Sequence, residues 1–241
     1  MKQRHAFIRL AALALLSLLL WPGSALAAKN KFKKASVRVE EKPRLTYWVY
    51  VPEDAGSGPL PLVLFLHGSA ERGDRALSVG LPLMINEGKI EPPSAVYVVP
   101  QLADDLGKWN YMEVQLLAML EKVMGAYPVD ESRVTLAGYS LGGNYAWEMA
   151  ARWPDLFPRV ACVCSRVEAG IDPISLLTCD VRVYIGSQDH TVIPDSAIAF
   201  EKELEEAGVR AKLFTYAGGH GEAGRHVFED QTVVDWLCWA E

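Results

Sequence analysis

The sequence lacks an excess of positive charge, and this limits the partners it can have. Its 241 residues carry 24 lysine and arginine side chains against 30 aspartates and glutamates, for a formal net charge of −6. A chain this acidic is repelled by phosphate backbones and anionic lipid headgroups. The sequence also has no internal repeat, low-complexity tract or long linker. We therefore expect a single globular domain that does not bind nucleic acid.

Long apolar runs are also missing, apart from one at residues 10–21, which is too short to span a bilayer comfortably. Three basic residues precede this run, Pro22-Gly23 follow it, and Ala25-Leu26-Ala27 matches a small-residue cleavage site. The pattern predicts an export signal at residues 1–27 and one domain at residues 28–241. We expect a periplasmic or secreted protein without stable membrane insertion after cleavage. A short membrane anchor is the alternative.

Cysteine is scarce. All four cysteines follow the predicted signal, so disulfides could form, and three pairings are open. Cys162 and Cys164 lie two apart on a predicted strand and should point to the same face, which disfavours a bridge between them. The C-x-C spacing, with no histidine nearby in the sequence, argues against a zinc site. Free buried thiols are the other alternative. The remaining two cysteines are Cys179 and Cys238.

The hydrophobic pattern predicts a mixed sheet. Alternating residues around Val37 and Val39, and again at 45–51, favour two antiparallel strands. Apolar runs at 62–66 and 95–99 are typical of strands buried on both faces of a parallel sheet. Further strands are predicted at 133–137, 159–164, 181–185 and 211–216, and helices at 111–124, 141–152, 195–207 and 227–239. Alternating strands and helices indicate a three-layer α/β domain.

Ser140 lies in "LAGYSLGGNYAWEMA", where a predicted strand runs into a predicted helix. The G-x-S-x-G pattern in that context is typical of a nucleophile on a sharp turn. The backbone N–H of Leu141 would lie at the amino end of the helix and could bind an oxyanion. A plain turn serine is the alternative.

An acid and a base follow Ser140 in the chain, again at predicted strand ends. Asp189 lies in "GSQDHTVIP" and His220 in "YAGGHGEAG". The order Ser, Asp, His is the one expected for a strand–serine–helix hydrolase. His226 is the rival base, but it lies further from the strand end. His190 is expected at the rim of the site and His67 in a structural role.

The loop "LHGSAERGD", residues 66–74, should supply a second oxyanion donor, from the backbone N–H of Ser69 or Ala70. Glu71 and Arg72 form either a local ion pair or a solvated charge cluster. Trp109, after a further predicted strand, either lines an acyl or aryl pocket or packs in the core.

The chain resembles α/β-hydrolases, and more narrowly secreted esterases related to feruloyl esterases, polyhydroxyalkanoate depolymerases and "predicted peptidases". The matching segments are "FLHGSAERGD", "LPLMINEGK", "VVPQ", "VTLAGYSLGGNYAWEMA", "GSQDHTVIP" and "GGH". This resemblance implies a mostly parallel sheet of about eight strands with helices on both faces. It also implies a Ser140–Asp189–His220 triad with oxyanion donors at Ser69 and Leu141. The chain departs from the family pattern after "VACVCSR", where relatives have a glycine-rich stretch, so the resemblance does not extend to the wall of the site around Arg166.

These features predict a serine hydrolase of carboxylic esters that needs no metal or cofactor. Its substrate would be a small-molecule or polysaccharide-linked ester. The short connection between residues 164 and 181 leaves no room for a large lid. A serine peptidase or amidase of the same fold is one alternative, and a non-catalytic binding module on a hydrolase fold is another. Dienelactone-type relatives use a cysteine nucleophile, so Ser140 disfavours that particular reaction.

Overall fold

The structure is a computed structural model, which describes residues 31–53, 55–56 and 58–240. The predicted export signal lies outside the described residues. Two antiparallel strands come first, β1 (Lys33–Val37) and β2 (Leu45–Tyr50), with Val37 paired to Leu45. β1 begins earlier in the chain than the sequence pattern predicted. Within the described part of the chain, no helix is long and apolar enough to cross a membrane.

Six further strands complete one sheet of eight. They are β3 (Leu60–Leu66), β4 (Val96–Pro100), β5 (Val129–Tyr139), β6 (Arg159–Val163), β7 (Asp180–Gly186) and β8 (Arg210–Tyr216). The order across the sheet is β1-β2-β4-β3-β5-β6-β7-β8. β2 joins β4 antiparallel, and β4, β3, β5, β6, β7 and β8 run parallel. The carboxyl ends of six strands therefore meet at one edge, where ligands bind in open α/β sheets.

Helices cover both faces of this sheet. In the described residues they are α1 (Gly80–Glu87), α2 (Glu113–Ala126), α3 (Leu141–Arg152), α4 (Asp195–Glu206), α5 (His220–Glu229) and α6 (Gln231–Leu237). In β3, Leu62, Leu64 and Leu66 pack into one core with α2, α3 and α4. Val63 and Phe65 pack into the other core with α1, α5 and α6. Burying such a side chain contributes about 1.5–3 kcal/mol, so continuous apolar strands hold the three layers together. The predicted α/β-hydrolase architecture is confirmed.

The C-terminal helix differs from the prediction. A single helix was expected at 227–239, but the chain forms α5 and α6 with a break at Asp230. The Asp230 side chain accepts a hydrogen bond from the Thr232 N–H at 3.0 Å and so caps α6. Because α5 begins at His220, only three residues separate this histidine from the end of β8. α1 had not been predicted as a helix.

All four cysteines are buried and free in this structure. The prediction that Cys162 and Cys164 share a face is wrong. Cys162 packs in the core with α2, α3 and α4, whereas Cys164 packs in the core on the opposite face. The cause is the φ angle of +46° at Cys164, just beyond the end of β6, which breaks the alternation of an extended strand.

Candidate active site

Ser140 lies on a sharp turn that joins β5 directly to α3. Its backbone has φ 53° and ψ −117°, a strained conformation for a residue other than glycine. The turn packs so closely on the sheet that a Cβ at Gly142 would overlap the Leu66 carbonyl oxygen. A glycine at 142 is therefore required for this geometry. The Leu141 N–H belongs to the first turn of α3, where N–H groups have no intrahelical partner.

Ser140, His220 and Asp189 are brought together from three strand ends. Ser140 Oγ lies 2.9 Å from His220 Nε2, and His220 Nδ1 lies 2.7 Å from Asp189 Oδ2. Because Asp189 Oδ2 can only accept when ionised, the ring proton is on Nδ1 and Nε2 accepts from the serine hydroxyl. The side chains of His220 and Asp189 are only 16% and 1% exposed, so solvent screens this chain of hydrogen bonds little.

Asp189 is held by the loop that follows β7. Its Oδ1 accepts hydrogen bonds from the backbone N–H groups of Thr191 at 3.0 Å and Val192 at 2.9 Å. These bonds leave Oδ2 free to orient His220. The other two histidines considered for this part of the chain lie elsewhere. His226 lies on α5, where its Nδ1 is 3.3 Å from the Ala217 carbonyl oxygen, and His190 is exposed.

Tyr139 contacts His220 through its ring and its hydroxyl, a contact that the sequence had not predicted. Its ring lies 5.2 Å from the His220 ring, and its hydroxyl donates to the His220 carbonyl oxygen at 3.3 Å. Tyr139 is the last residue of β5, directly before Ser140, and His220 is the first residue of α5. The sequence contained only a tyrosine in the motif, which gave no sign of this contact.

The loop after β3 is held by His67, which is fully buried. His67 Nδ1 donates to the Gly68 carbonyl oxygen at 2.8 Å, and Nε2 accepts from the Leu102 N–H at 3.1 Å. Burial lowers the pKa of His67 to about 4, so the ring is neutral, as this pair of bonds requires. In a trans peptide the carbonyl and the next N–H point in opposite directions. The Ser69 N–H is therefore directed away from His67.

Gln101 and Trp109 extend this network. Gln101 Nε2 donates to the Glu71 carbonyl oxygen at 2.8 Å, and its Oε1 accepts from the Ala76 N–H at 2.9 Å. Trp109 is fully buried, and its Nε1 donates to the His67 carbonyl oxygen at 3.1 Å. Of the two alternatives for Trp109, this burial supports packing in the core over lining an acyl or aryl pocket. Both side chains stabilise the loop that carries Ser69.

Glu71 forms neither the ion pair with Arg72 nor the solvated charge cluster that the sequence suggested. Arg72 does not pair with it but donates from Nε to the Ser69 carbonyl oxygen at 2.9 Å. Glu71 Oε2 is buried and has no hydrogen-bond partner in the structure. It lies 3.0 Å from the position that a Cβ on Gly68 would take, and Ser140 Cβ lies 3.4 Å from the same position. A buried carboxyl oxygen and Ser140 thus both lie against Gly68.

The protonation of Glu71 depends on this burial. Burial raises the pKa of the Glu71 carboxyl, while the backbone N–H groups of Glu71 and Gly68 and the nearby Arg75 and His220 act in the opposite direction. Burial dominates, so the protonated form is favoured relative to an exposed glutamate.

The loop after β6 forms a wall next to the helix that follows the nucleophile. The Arg166 N–H donates to Asn144 Oδ1 at 2.9 Å, one turn of α3 beyond Ser140. The Arg166 side chain is exposed and pairs with Glu168 at 3.2 Å. This loop therefore places a solvated ion pair near the site.

Comparison with known proteins identifies the family. Residues 101–228 match the model of the dienelactone hydrolase family, which is more than half of the chain. The chain belongs to the dienelactone hydrolase family. The matched range includes Ser140, His220 and Asp189. A search of curated proteins found no match.

Solved structures share the fold. A thermostable esterase aligns with a TM-score of 0.71 at 19% identity, covering 86% of this chain and 62% of that one. An S-formylglutathione hydrolase from Staphylococcus aureus has a TM-score of 0.67 at 16% identity, covering 86% and 95%. A ferulic acid esterase has a TM-score of 0.66 at 18% identity, covering 88% and 99%. The chain thus spans less than two thirds of the thermostable esterase. Family and fold together place it among the hydrolases.

Proposed function

We propose that this chain is a serine hydrolase that cleaves carboxylic esters through an acyl-enzyme, without metal or cofactor. The observation that carries the proposal is the continuous chain of hydrogen bonds from Ser140 Oγ through His220 to Asp189. A serine hydroxyl becomes nucleophilic when a base accepts its proton and the base is itself oriented by a third group.

In the acylation step, His220 Nε2 removes the proton as Ser140 Oγ attacks the ester carbonyl carbon. Asp189 keeps the ring proton on Nδ1 and stabilises the imidazolium that forms. The imidazolium then donates its Nε2 proton to the leaving alcohol, and the C–O bond breaks. The alcohol departs and the acyl group remains on Ser140.

The negative charge on the carbonyl oxygen needs two donors. We assign the N–H of Leu141, at the amino end of α3, and the N–H of Ser69, which points away from His67. The geometry at Gly68 supports Ser69 over Ala70, because His67 fixes the peptide that carries the Ser69 N–H. Losing one such donor typically costs about 10²–10³ in turnover.

In the deacylation step, a water molecule takes the place of the alcohol. His220 removes a proton from this water while the hydroxide attacks the acyl carbon. The same two N–H groups stabilise the second oxyanion. The imidazolium returns the proton to Ser140 Oγ, and the carboxylic acid leaves.

The esterases among the structural neighbours favour an ester over a peptide or amide substrate. The substrate class we propose is a small-molecule or polysaccharide-linked ester. We also propose that residues 1–27 direct export to the periplasm or the medium, on the basis of the sequence pattern described above.

A matched pair of substrates tests the proposal. p-Nitrophenyl acetate and p-nitroacetanilide share acyl and aryl groups and differ in the bond cleaved. We expect hydrolysis of the ester, little of the anilide, and a loss of at least about 10³-fold in Ser140→Ala. Preferential cleavage of the anilide would favour a peptidase or amidase. A folded protein that cleaves neither substrate would favour a binding module.

A further inference from the structure

Cys164 lies beside the acid and the base of the site. It follows β6 with a φ of +46°, which turns its side chain into the core that contains Tyr139. The Cys164 Sγ, a carboxylate oxygen of Asp189 and a ring nitrogen of His220 all lie within 4.8 Å of one another. Positive φ at a residue other than glycine is strained, and such strain concentrates at functional sites. Nothing in the hydrolytic steps uses this thiol.

The three groups form a ligand set for a thiophilic divalent cation. Thiolate, imidazole and carboxylate are the ligands of protein zinc sites, with metal–ligand distances of about 2.0–2.3 Å. Such distances place neighbouring ligand atoms roughly 3–4 Å apart. The Cys164 sulfur must therefore move closer, and the His220 Nδ1–Asp189 Oδ2 pair, 2.7 Å apart in this structure, must open to admit the cation. The sequence spacing argued against zinc because no histidine is near Cys162 or Cys164 along the chain. The fold brings His220 to Cys164 from a distant segment.

We propose that Cys164, Asp189 and His220 bind Zn²⁺ or a similar thiophilic divalent cation, and that this binding inhibits the enzyme. Binding itself follows from the cluster, whereas the inhibition rests on the proposed hydrolase function. The cation is an inhibitor here and not a cofactor of the reaction. A water molecule or a hydroxide can complete the tetrahedral shell.

The inhibition follows from the proton transfers that accompany binding of the cation. The Cys164 thiol loses one proton to solvent as its sulfur binds the cation. His220 Nδ1 faces Asp189, so a cation between them takes the Nδ1 lone pair and the ring proton moves to Nε2. His220 Nε2 then donates to Ser140 Oγ and can no longer accept its proton. The nucleophile is thereby left unactivated.

Inhibition by zinc tests the proposal in the metal-free protein. We expect Zn²⁺ to inhibit ester hydrolysis, EDTA to restore it, and Cys164→Ser to raise the half-inhibiting concentration at least about tenfold. Cys179→Ser is the matched control, because Cys179 is also a buried cysteine but directly precedes β7, at the opposite end from Asp189. This variant should keep the zinc sensitivity of the wild type. Equal sensitivity in Cys164→Ser and the wild type would overturn the proposal.

Cobalt absorbance gives a readout that needs no turnover. Co²⁺ added to the wild-type protein should produce an ultraviolet thiolate-to-metal band that Zn²⁺ displaces and that Cys164→Ser lacks. The absence of this band would overturn the proposal even if esters are hydrolysed. A band in a protein that hydrolyses no ester would support the cation site while contradicting the proposed function.

Discussion

His67 Nδ1 donates to the carbonyl oxygen of Gly68 at 2.8 Å, and this one bond fixes the orientation of the peptide that precedes Ser69. In the proposed mechanism, a flip of that peptide would point a carbonyl oxygen, rather than an N–H, at the developing oxyanion. The proposal therefore gives the buried His67 an effect on the reaction through the backbone, outside the proposed triad.

Removing the His67 ring should lower kcat more than it raises KM. We expect His67→Ala to reduce kcat about 10–100-fold, because the peptide loses the bond that orients one oxyanion donor. His67→Asn should recover part of kcat, since its side-chain amide can donate near the position of Nδ1. His226→Ala, which removes a histidine outside the loop after β3, serves as the control. If the Ala and Asn variants lose kcat equally, and if that loss follows the loss of thermal stability, His67 has only a packing role.

Two glycines should respond in opposite ways to alanine. Gly142→Ala places a methyl group against the Leu66 carbonyl, so we expect destabilisation of roughly 1–3 kcal/mol or failure to fold. Gly125 lies exposed in α2, and a Cβ there meets nothing within 4 Å. Gly125→Ala should stabilise the protein by about 0.5–1 kcal/mol. Denaturant unfolding of both variants measures these changes in the free energy of unfolding. The prediction fails if the two substitutions shift the midpoint in the same direction.

Glu71 should make stability depend on pH. Its pKa is raised in the folded protein, so the native state holds this proton more tightly than the unfolded chain does. The stability that this carboxyl contributes is fully present below its ordinary pKa of 4.5. It is lost as the pH rises through the higher pKa that the group has in the folded protein. Glu71→Gln removes that loss, so we expect its Tm to exceed that of the wild type at pH 7.

Thermal melts of Glu71→Gln and the wild type at pH 4 and pH 7 check this expectation. The Tm gain should be clear at pH 7, about 2–4 °C for each kcal/mol recovered, and smaller at pH 4. Glu121→Gln, an exposed site on α2, is the control and should show no pH-dependent difference. A Tm difference for Glu71→Gln that is the same at both pH values contradicts the account.

The sequence predicted the regular part of the molecule well. The predicted bounds of α3 were correct at both ends, and its start was marked by Ser140 and the glycines that follow. Each buried parallel strand appeared as an apolar run, since strands covered on both faces have no polar alternation. The strand ends then placed Ser140, Asp189 and His220 at one edge of the sheet.

The features that were missed depend on single backbone angles and long-range contacts. The direction of the Cys164 side chain follows from a positive φ, which a periodic pattern cannot indicate. The buried position of Glu71 depends on how the loop after β3 meets Gly68 and Ser140. The break between α5 and α6 came from Asp230, a cap that lies inside an otherwise helical pattern.

Covalent labelling of Ser140 tests the central claim most directly. A fluorophosphonate should modify the native protein at one site per chain, and peptide mass spectrometry should place the adduct on Ser140. Labelling should abolish ester hydrolysis in proportion to its extent, and Ser140→Ala should neither react nor turn over. Adducts on another residue, or full ester hydrolysis by Ser140→Ala, would contradict the assignment of Ser140 as the nucleophile.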